Sequence, residues 1–382
     1  MRRRDFMATG AAGAAGALIT GGAMARQAPD YMPIVADRMT GGDYDPCYEE
    51  REITEPVMVC DDKGILNPQA IGWAREPLFT ANLSGHWPRK KKWNFWNWIQ
   101  DDFVFSVTIA HIDYLCFCTV SMIDFEKKKQ WTKMGLAPFA RSSKLMPENV
   151  EETIVFEAGG VRAALIHHGD HIKVDVKCRA GEDLSADFVI HKPEGHETLN
   201  IVVPWTRDRF QMNSKHNTLP TEGTVAVGSR EYRMDPERCH GVQDFGRGMW
   251  PYRSYWNWGV ASGMAGGVPI GVNVGSKWTT GTGSNENGIC YDGVLYKIME
   301  DLVWEYDMDN PDGNWRIRSE CSDVIDMTLT PFYVSETVLS LGLIRTGGVC
   351  PFGLWNGVVR PGGKQVEIRD VVGWAEEFSH RW

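Results

Sequence analysis

The stretch FGRGMWPYRSYWNWG, residues 245–259, carries six aromatic side chains and two arginines. Its core, YWNW at 255–258, nearly repeats FWNW at 95–98. Alternate side chains of a β-strand lie on the same face, so the two tryptophans of each copy would lie together. A turn and a second strand-like run follow both copies. The repeat therefore predicts two related β-units, one in each half of the chain.

The rest of the chain also favours strands. Phe103, Phe105, Val107 and Ile109 alternate with their neighbours in the period of a strand. Residues 161–178 predict a hairpin that turns at Gly169-Asp170. Forty glycines and nineteen prolines fit many tight turns. Helix signals are few, and residues 124–134 predict one short helix. We therefore expect an all-β fold of two consecutive, packed antiparallel β-barrels.

The first twenty-five residues have the features of an export signal. Arg2, Arg3 and Arg4 precede a short Ala- and Gly-rich run, and Ala23-Met24-Ala25 has the form of a cleavage site. The Arg3-Arg4 pair followed by Asp5-Phe6 resembles the twin-arginine type. We expect a periplasmic protein that is exported by the twin-arginine route.

The mature chain is predicted to have three parts. Residues 26–70 are an irregular lead-in, residues 71–210 form the N-terminal barrel, and residues 211–382 form the C-terminal barrel. The boundary is placed in TRDRFQMNSKHNTLPTE, residues 206–222, because this stretch is polar and lacks periodicity.

The net charge and the lengths of the apolar runs indicate which classes of partner the protein can bind. The formal net charge of −10 becomes about −12 once three arginines and one aspartate leave with the signal. An acidic chain without a basic block is not expected to bind nucleic acid. No run is long and apolar enough for stable membrane insertion. The expected partner is a small-molecule ligand.

The nine cysteines contain no C-x-x-C pair, so most are expected to be small core residues. One disulfide that involves Cys47 and Cys60 is left open. His167, His168 and His171 cluster at the predicted hairpin turn, where a solvated tip is more common than a metal site, and no metal is expected. A nucleotide-binding loop, a G-x-S-x-G elbow and an H-E-x-x-H motif are all missing from the sequence, and no cofactor is expected.

Several motifs resemble a known family. They are GVQDFGRGMWPYRSYWNWGVASG at 241–263, TGSNENGICYDGVLYKI at 282–298, GWAREPLFTANL at 72–83 and VVGWAEEFSHRW at 371–382. Together they closely resemble a bacterial family known as domain of unknown function 2804, over about residues 60–382. That resemblance implies no particular reaction.

A more distant resemblance concerns G-x-x-D at 241–244 and the following Trp-x-Trp strand. These features are similar to the carotenoid 1,2-hydratase and AttH group, whose members consist of two lipocalin-like barrels. The group includes hydratases, isomerases and cyclases of isoprenoid-like substrates, and its alkene-protonating aspartate would correspond to Asp244. The segment RGMWPYR departs from the group's pattern, and its arginines indicate a more polar or anionic ligand.

Asp244 is the leading candidate for a general acid, because neighbouring rings would desolvate its carboxyl group. Glu286 lies in a Gly-rich polar loop and would be its partner, with His240 as another candidate. If Asp244 has a structural role instead of a catalytic one, we expect its carboxyl group to form an ion pair with Arg247 or Arg253.

The candidates for substrate binding surround these three residues in the sequence. They are Arg247, Trp250, Tyr252, Arg253, Trp256, Trp258, Asn273 and Asn287. The pattern predicts a cofactor-independent hydratase, isomerase or lyase that acts on a small amphipathic molecule in a barrel pocket. A ligand carrier, and a carbohydrate-active enzyme that uses an Asp/Glu pair, are the alternatives.

The localisation can be tested by replacing Arg3 and Arg4 together with lysine. We expect export to stop, because the twin-arginine route depends on that pair. Immunoblots of periplasmic and cytoplasmic fractions measure the outcome. A double variant that still reaches the periplasm would contradict the predicted route.

Overall fold

The computed structural model describes residues 45–138, 146–341 and 344–382. The predicted export signal, residues 1–25, and the lead-in before residue 45 lie outside the described residues. Within the described residues the chain is almost entirely β, with two large antiparallel sheets and a separate parallel pair of short strands. The all-β prediction is confirmed.

In the described part of the chain the first sheet has thirteen strands. Two short strands near the start of the described chain, β1 (Val57–Met58) and β3 (Phe79–Thr80), form the separate parallel pair. A 3-10 turn at Pro68–Ala70 lies between them in the sequence. The strands of the first sheet are β2 (Gly72–Ala74), β4 (Lys90–Ile99), β5 (Phe103–His111), β6 (Leu115–Asp124), β7 (Lys129–Pro138), β8 (Ile154–Ala158), β9 (Val161–His167), β10 (His171–Ala180), β11 (Glu182–His191), β12 (Leu199–Thr206), β13 (Arg209–Val227), β14 (Arg230–Met234) and β15 (His240–Met249).

This sheet curls into a nearly closed barrel. Its main path runs β7-β6-β5-β4-β15-β13-β11-β10-β9-β8, and the two end strands approach each other. A Cβ atom at Gly135 of β7 would lie 2.4 Å from the carbonyl oxygen of Ala158 at the end of β8, so only glycine permits this approach. Alternate side chains fill the interior, where Trp98 packs edge-on against Phe188 with ring centroids 4.7 Å apart.

The second sheet, as far as its residues are described, has nine strands and forms a half-barrel. A 3-10 turn at Pro361–Gly363 precedes its last strand. The strands are β16 (Arg253–Ala265), β17 (Val268–Ser276), β18 (Gly288–Tyr291), β19 (Val294–Lys297), β20 (Val303–Glu305), β21 (Trp315–Arg318), β22 (Ile325–Leu341), β23 (Ile344–Val359) and β24 (Val366–Arg381). Trp315, Ile317 and Trp355 lie in its core. The described chain therefore consists of two consecutive antiparallel β-units, a nearly closed barrel followed by a half-barrel.

The repeated aromatic motifs form β4 and β16, and each pairs with the strand that follows it, as predicted. The two tryptophan pairs nevertheless have different surroundings. Trp96 and Trp98 point into the first barrel, whereas Trp256 and Trp258 face the space between the two sheets. On the other face of β16, a Cβ atom at Gly259 would lie 3.1 Å from the Trp304 ring, so the half-barrel has little room for another indole on that side.

The polar stretch at residues 206–222 is not a linker. It belongs mostly to β13, a strand of 19 residues in the first sheet. One of its buried polar side chains bonds to the second sheet: the Asn217 side-chain amide donates to the carbonyl oxygens of Ala261 (3.2 Å) and Val272 (3.3 Å). The chain passes from the first sheet to the second between Met249 and Arg253.

The predicted short helix at residues 124–134 is wrong, because this segment is the turn and second strand of the β6–β7 hairpin. The Lys127 backbone N–H donates to the Asp124 side chain (2.8 Å) and closes the turn. Trp131 is then buried in the first barrel. The predicted hairpin at residues 161–178 is confirmed as β9 and β10.

The disulfide links Cys47 to Cys321, with Cα atoms 5.8 Å apart, and not to Cys60. Cys60 is buried, and its thiol lies 3.2 Å from the Asn82 carbonyl oxygen. The bond joins positions 274 residues apart, which sequence spacing does not reveal. The other seven cysteines are free thiols, as core residues should be.

A thiol count tests this pairing. The denatured, unreduced protein should react with iodoacetamide at seven cysteines, and reduction should expose Cys47 and Cys321. Peptide mass spectrometry measures both sets. The double variant Cys47→Ser/Cys321→Ser should lose about 2–5 kcal/mol of stability, whereas Cys178→Ser should change it little. A peptide that links Cys47 to Cys60 would contradict the assignment.

Candidate functional site

A cavity lies between the two sheets and not inside either barrel, which corrects the predicted barrel pocket. The volume that can hold the centre of a water molecule is about 50 Å³. Half-buried Trp256 and Trp382 are the more exposed part of its wall. Six indoles line it in total: Trp93, Trp250, Trp256, Trp258, Trp278 and Trp382. The cavity is therefore narrow and largely apolar.

Lys215 forms two buried ion pairs at the cavity wall. Its Nζ lies 3.1 Å from Oδ2 of Asp244 and 2.8 Å from Oε2 of Glu286. The same ammonium group lies 4.2 Å from the centre of the Trp258 ring. Lys215 and Asp244 are directly opposite each other on β13 and β15, whereas Glu286 comes from the second sheet's side. The ammonium group therefore connects the two halves of the molecule.

Glu286 reaches Lys215 from the loop between β17 and β18. Its side chain lies against the backbone of Gly275, where a Cβ atom would be 2.1 Å from Oε1. The indole N–H of Trp278 donates to that oxygen at 2.7 Å. The Asn273 side chain donates to the Glu286 carbonyl at 2.6 Å. The predicted ligand-facing carboxyl group therefore lies at the cavity, in a fixed orientation.

The described part of the lead-in supports this loop from behind. The Asn285 backbone N–H donates to Oε1 of Glu50 at 3.3 Å, and its side chain donates to the Tyr48 hydroxyl at 2.9 Å. Lys297 completes a buried ion pair with Glu50 at 2.5 Å. The disulfide of Cys47 anchors the same segment. The described part of the lead-in therefore helps to hold the loop that carries Glu286.

The ion pair that Asp244 forms in the described structure is with Lys215. Its Oδ1 accepts a hydrogen bond from the Asn213 side chain at 2.6 Å, and its Oδ2 faces Lys215. Two donors directed at the two oxygens suit a group that accepts a proton rather than one that donates it. The predicted Asp244–Arg247 or Asp244–Arg253 ion pair is replaced by Asp244–Lys215.

Glu376 is a third carboxyl group at the cavity. It lies on β24 opposite Trp258, and the Trp256 indole N–H donates to its Oε1 at 2.7 Å. Burial, with a smaller contribution from Asp244 and Glu286, raises the pKa of Glu376 to about 8. Glu376 is therefore mostly a neutral carboxylic acid at pH 7.

The charges of Lys215 and Glu286 in the cavity depend on each other. Burial raises the pKa of Glu286, and Lys215 partly offsets that effect. Burial lowers the pKa of Lys215, but Asp244 and Glu286 more than reverse this, so its pKa is raised and it remains an ammonium ion. The cavity therefore holds a carboxylic acid beside a cation that two carboxyl groups share.

Five of the predicted site residues line the cavity: Asp244, Glu286, Trp250, Trp256 and Trp258. Asn273 lies just behind the wall, where it accepts from the Trp258 indole at 2.8 Å. Asn287 holds the loop by accepting from the Gly275 N–H (2.8 Å) and donating to the Glu300 carbonyl (2.9 Å), and it does not line the cavity.

Arg247 lies outside the cavity lining. Its guanidinium group is fully buried and donates to the carbonyl oxygens of Trp93 (2.6 Å), Gly246 (2.8 Å) and Pro147 (2.9 Å) and to Asn94 Oδ1 (2.7 Å). These acceptors account for four of its five N–H donors, so Arg247 joins strands outside the cavity.

The remaining three predicted residues also lie outside the cavity lining. His240 is on the same strand as Asp244 but about 13 Å away along it, and burial lowers its pKa to about 4. Tyr252 precedes β16, where the Arg89 guanidinium lies 5.6 Å from its ring. Arg253 begins β16 and pairs in register with Arg381.

Sequence reasoning missed Lys215, Asn213, Trp278 and Glu376. Asn213 and Lys215 are two residues apart and therefore share one face of β13, which was the one available signal in the polar stretch. Glu376 lies in the quoted terminal motif GWAEEF. Nothing in the local pattern shows which of its two adjacent glutamates is at the cavity.

The described residues contain no group of three His, Cys, Asp or Glu side chains that could hold a metal ion. At the predicted hairpin tip, the rings of His168 and His171 stack with centroids 4.8 Å apart, and His171 Nδ1 lies 2.7 Å from Asp170. No helix in the part of the chain that the structure describes has the length and apolar character to cross a membrane.

The sequence matches the family described as Domain of unknown function (DUF2804) over residues 50–382, and the chain belongs to that family. This confirms the family resemblance. No protein of curated function matches the sequence.

Several solved structures have a similar chain path. A Nitrosomonas europaea protein assigned as AttH is 11% identical, with a TM-score of 0.44 over 76% of this chain and 92% of its own. Kievitone hydratase from Nectria haematococca is 12% identical, with a TM-score of 0.41 over 75% and 88%. CghA, solved with Sch210972, is 12% identical, with a TM-score of 0.39 over 77% and 89%. At these values the neighbours carry no argument about activity.

The raised pKa of Glu376 predicts a pH dependence of stability. Between about pH 4.5 and pH 8 the folded state retains a proton that the unfolded state releases, so the free energy of unfolding should fall as pH rises. The slope is about 1.4 kcal/mol per pH unit for this group. Urea unfolding at several pH values measures it.

Glu376→Gln should remove this component, because glutamine imitates the neutral acid and can still accept from Trp256. Glu377→Gln is the matched control. Its carboxyl group pairs with Lys277 at 2.9 Å and is not part of the cavity lining, so the decline with pH should persist. An unchanged slope in Glu376→Gln would show that Glu376 is not the group responsible.

Proposed function

We propose that this protein is an acid–base enzyme of hydratase, isomerase or lyase type, acting on a small amphipathic molecule in the cavity between the sheets. One observation carries the proposal. A neutral carboxylic acid, Glu376, lines the same indole-walled cavity as the lysine-bridged pair of Asp244 and Glu286. A neutral carboxylic acid beside a carboxyl group that faces an amide N–H and an ammonium group can supply both partners of acid–base catalysis.

In this proposal Glu376 donates a proton to one carbon of the substrate and Asp244 accepts one. For hydration, Asp244 takes the proton from a water molecule whose oxygen bonds to the neighbouring carbon. For isomerisation, Asp244 takes it from another carbon of the substrate. Proton exchange with solvent then restores both groups. Lys215 holds Asp244 and Glu286 in place, and the indoles exclude bulk water.

The roles differ from those expected from the sequence alone, where Asp244 was the acid. Its two donors, Asn213 and Lys215, favour the accepting role. The raised pKa makes Glu376 the better donor. These side chains provide both functions themselves, which supports a cofactor-independent reaction.

The carbohydrate-active alternative fits the geometry less well. The carboxyl groups of a glycosidase flank the bond that breaks, with a sugar or a water molecule between them. Here the Lys215 ammonium group occupies the space between Asp244 and Glu286. The carrier alternative would favour an apolar cavity without buried carboxyl groups, and this cavity has three.

We also propose that the protein works in the periplasm. Cys47 and Cys321 are both at the exposed surface, where an oxidant can reach them after folding and export. Disulfides persist in oxidising compartments such as the periplasm. The twin-arginine-type signal in the sequence points to the same compartment.

Deuterium incorporation tests the proposed chemistry on a mixture of candidate substrates. The purified protein is incubated in D₂O with a small-molecule extract of bacterial cells, and mass spectrometry compares the extract before and after. We expect one component to gain deuterium at carbon, because protonation of carbon by Glu376 would deliver a solvent-derived deuteron. Glu376→Gln should slow this by about a hundredfold to ten-thousandfold.

Glu377→Gln serves as the control and should retain full exchange. A component that binds to the wild-type protein but gains no deuterium would favour the carrier alternative. Exchange that continues unchanged in Glu376→Gln would remove Glu376 from the proposed role.

A further inference from the structure

Gln211 is a buried side chain next to the cavity wall, and no step of the proposed reaction uses it. It lies on β13, where Gln211, Asn213 and Lys215 are spaced two apart and therefore share one face. Its side chain is 0% exposed. The residue opposite on β15 is Gly248, where any Cβ atom would overlap Oε1 of Gln211. The side chain therefore lies directly against the backbone of β15.

The amide of Gln211 accepts a hydrogen bond at one end and donates at the other. Its Oε1 accepts from the indole N–H of Trp250 at 2.6 Å. Its Nε2 donates to Oδ1 of Asn213 at 2.6 Å and to the carbonyl oxygen of Met212 at 2.9 Å. An indole N–H can only donate, and a carbonyl oxygen can only accept. These two partners therefore determine which end of the Gln211 amide faces Asn213.

The orientation of Gln211 in turn fixes that of Asn213. Because Gln211 presents an N–H group, the Asn213 oxygen faces Gln211 and its nitrogen lies 2.6 Å from Oδ1 of Asp244. A reversed Asn213 amide would place its oxygen against the Asp244 oxygen. Two acceptors can share a hydrogen bond only when one of them carries a proton. The direction of one amide therefore decides whether Asp244 can accept a proton or already holds one.

We propose that Gln211 is a positioning residue, which holds the Asn213 amide N–H toward Asp244 and thereby keeps the Asp244 carboxyl group free to accept a proton. Gln211 does not line the cavity and acts through Asn213, which does. The inference rests on the proposed function, because it concerns the group that serves as the base in the proposed reaction. It adds a control on that role that lies outside the cavity.

NMR of the aspartate carboxyl carbons in the labelled full-length protein tests the inference without a substrate. The Asp244 signal is identified by its loss in Asp244→Asn and is followed as the pH is lowered. In Gln211→Met no N–H group holds the Asn213 oxygen away from Asp244. The midpoint of the Asp244 titration should therefore move to higher pH by about one unit or more, because a hydrogen bond to the charged form is weakened.

The other charged and titratable groups that act on Asp244 are present in the wild-type protein and in Gln211→Met alike. They are Lys215, Glu286, Glu376 and Arg247. The difference between the two midpoints therefore reports the amide. Gln243→Met is the matched control and should leave the midpoint unchanged. Gln243 is a buried glutamine next to Asp244 in the chain, but its side chain lies on the other face of β15.

A double-mutant cycle separates positioning from a general structural effect. Asn213→Leu removes the donor itself and should shift the Asp244 midpoint at least as far as Gln211→Met. Adding Gln211→Met to Asn213→Leu should then have no further effect, because Gln211 acts through Asn213, whereas independent effects would add. An unchanged midpoint in Gln211→Met, or additive shifts in the double variant, would overturn the inference.

Neutron diffraction of the wild-type protein provides a second measurement if Gln211→Met does not fold. Neutrons distinguish the amide nitrogen from the amide oxygen, and we expect the Asn213 nitrogen to face Asp244. The oxygen in that position would overturn the inference.

The deuterium exchange assay separates this inference from the proposed function. A shifted midpoint in Gln211→Met, together with no exchange by the wild-type protein, would support the positioning role and contradict the proposed reaction. Where the wild-type protein does exchange deuterium, Gln211→Met should slow the exchange about tenfold to a hundredfold, and Gln243→Met should not. Exchange at the wild-type rate in Gln211→Met would contradict the positioning role.

Discussion

The contact of the Lys215 ammonium group with Asp244 and Glu286 is the interaction on which the candidate site depends. Each ion would cost several kcal/mol to bury alone, and the shared cation offsets that cost for both carboxyl groups. Because Glu286 belongs to the second half of the chain, the contact also crosses the boundary between the sheets. The site therefore exists only when the two barrels are packed together.

The indole walls determine how the carboxyl groups differ. Glu376 is in the same cavity as Asp244 and Glu286, but among the described residues it receives an indole N–H bond and no direct ion pair, and burial raises its pKa to about 8. Asp244 receives an amide N–H and an ammonium group. Carboxyl groups in one cavity thus differ in their hydrogen-bond donors because their neighbours differ.

The support of the site extends far from the cavity. Glu50 and Lys297 form a buried pair that holds the backbone of Asn285, the residue before Glu286. The disulfide from Cys47 to Cys321 fastens the same segment to the second half of the chain. A region that looks irregular in sequence is therefore part of the framework that orients Glu286.

The sequence by itself determined the β class, the paired aromatic strands at 95–98 and 255–258, the family, and two of the site's carboxyl residues, Asp244 and Glu286. Local alternation and short motifs carry that information, because strand period and turn chemistry are properties of neighbouring residues. Only the tertiary structure decided that Lys215 and Glu376 join them, that Arg247 and His240 do not, and that Cys47 pairs with Cys321. Those outcomes depend on which strand faces lie opposite each other across the two sheets, and burial of a polar group is favourable only where such a partner exists. For that reason the polar stretch at 206–222 looked like a linker, although it forms the strand that carries Lys215.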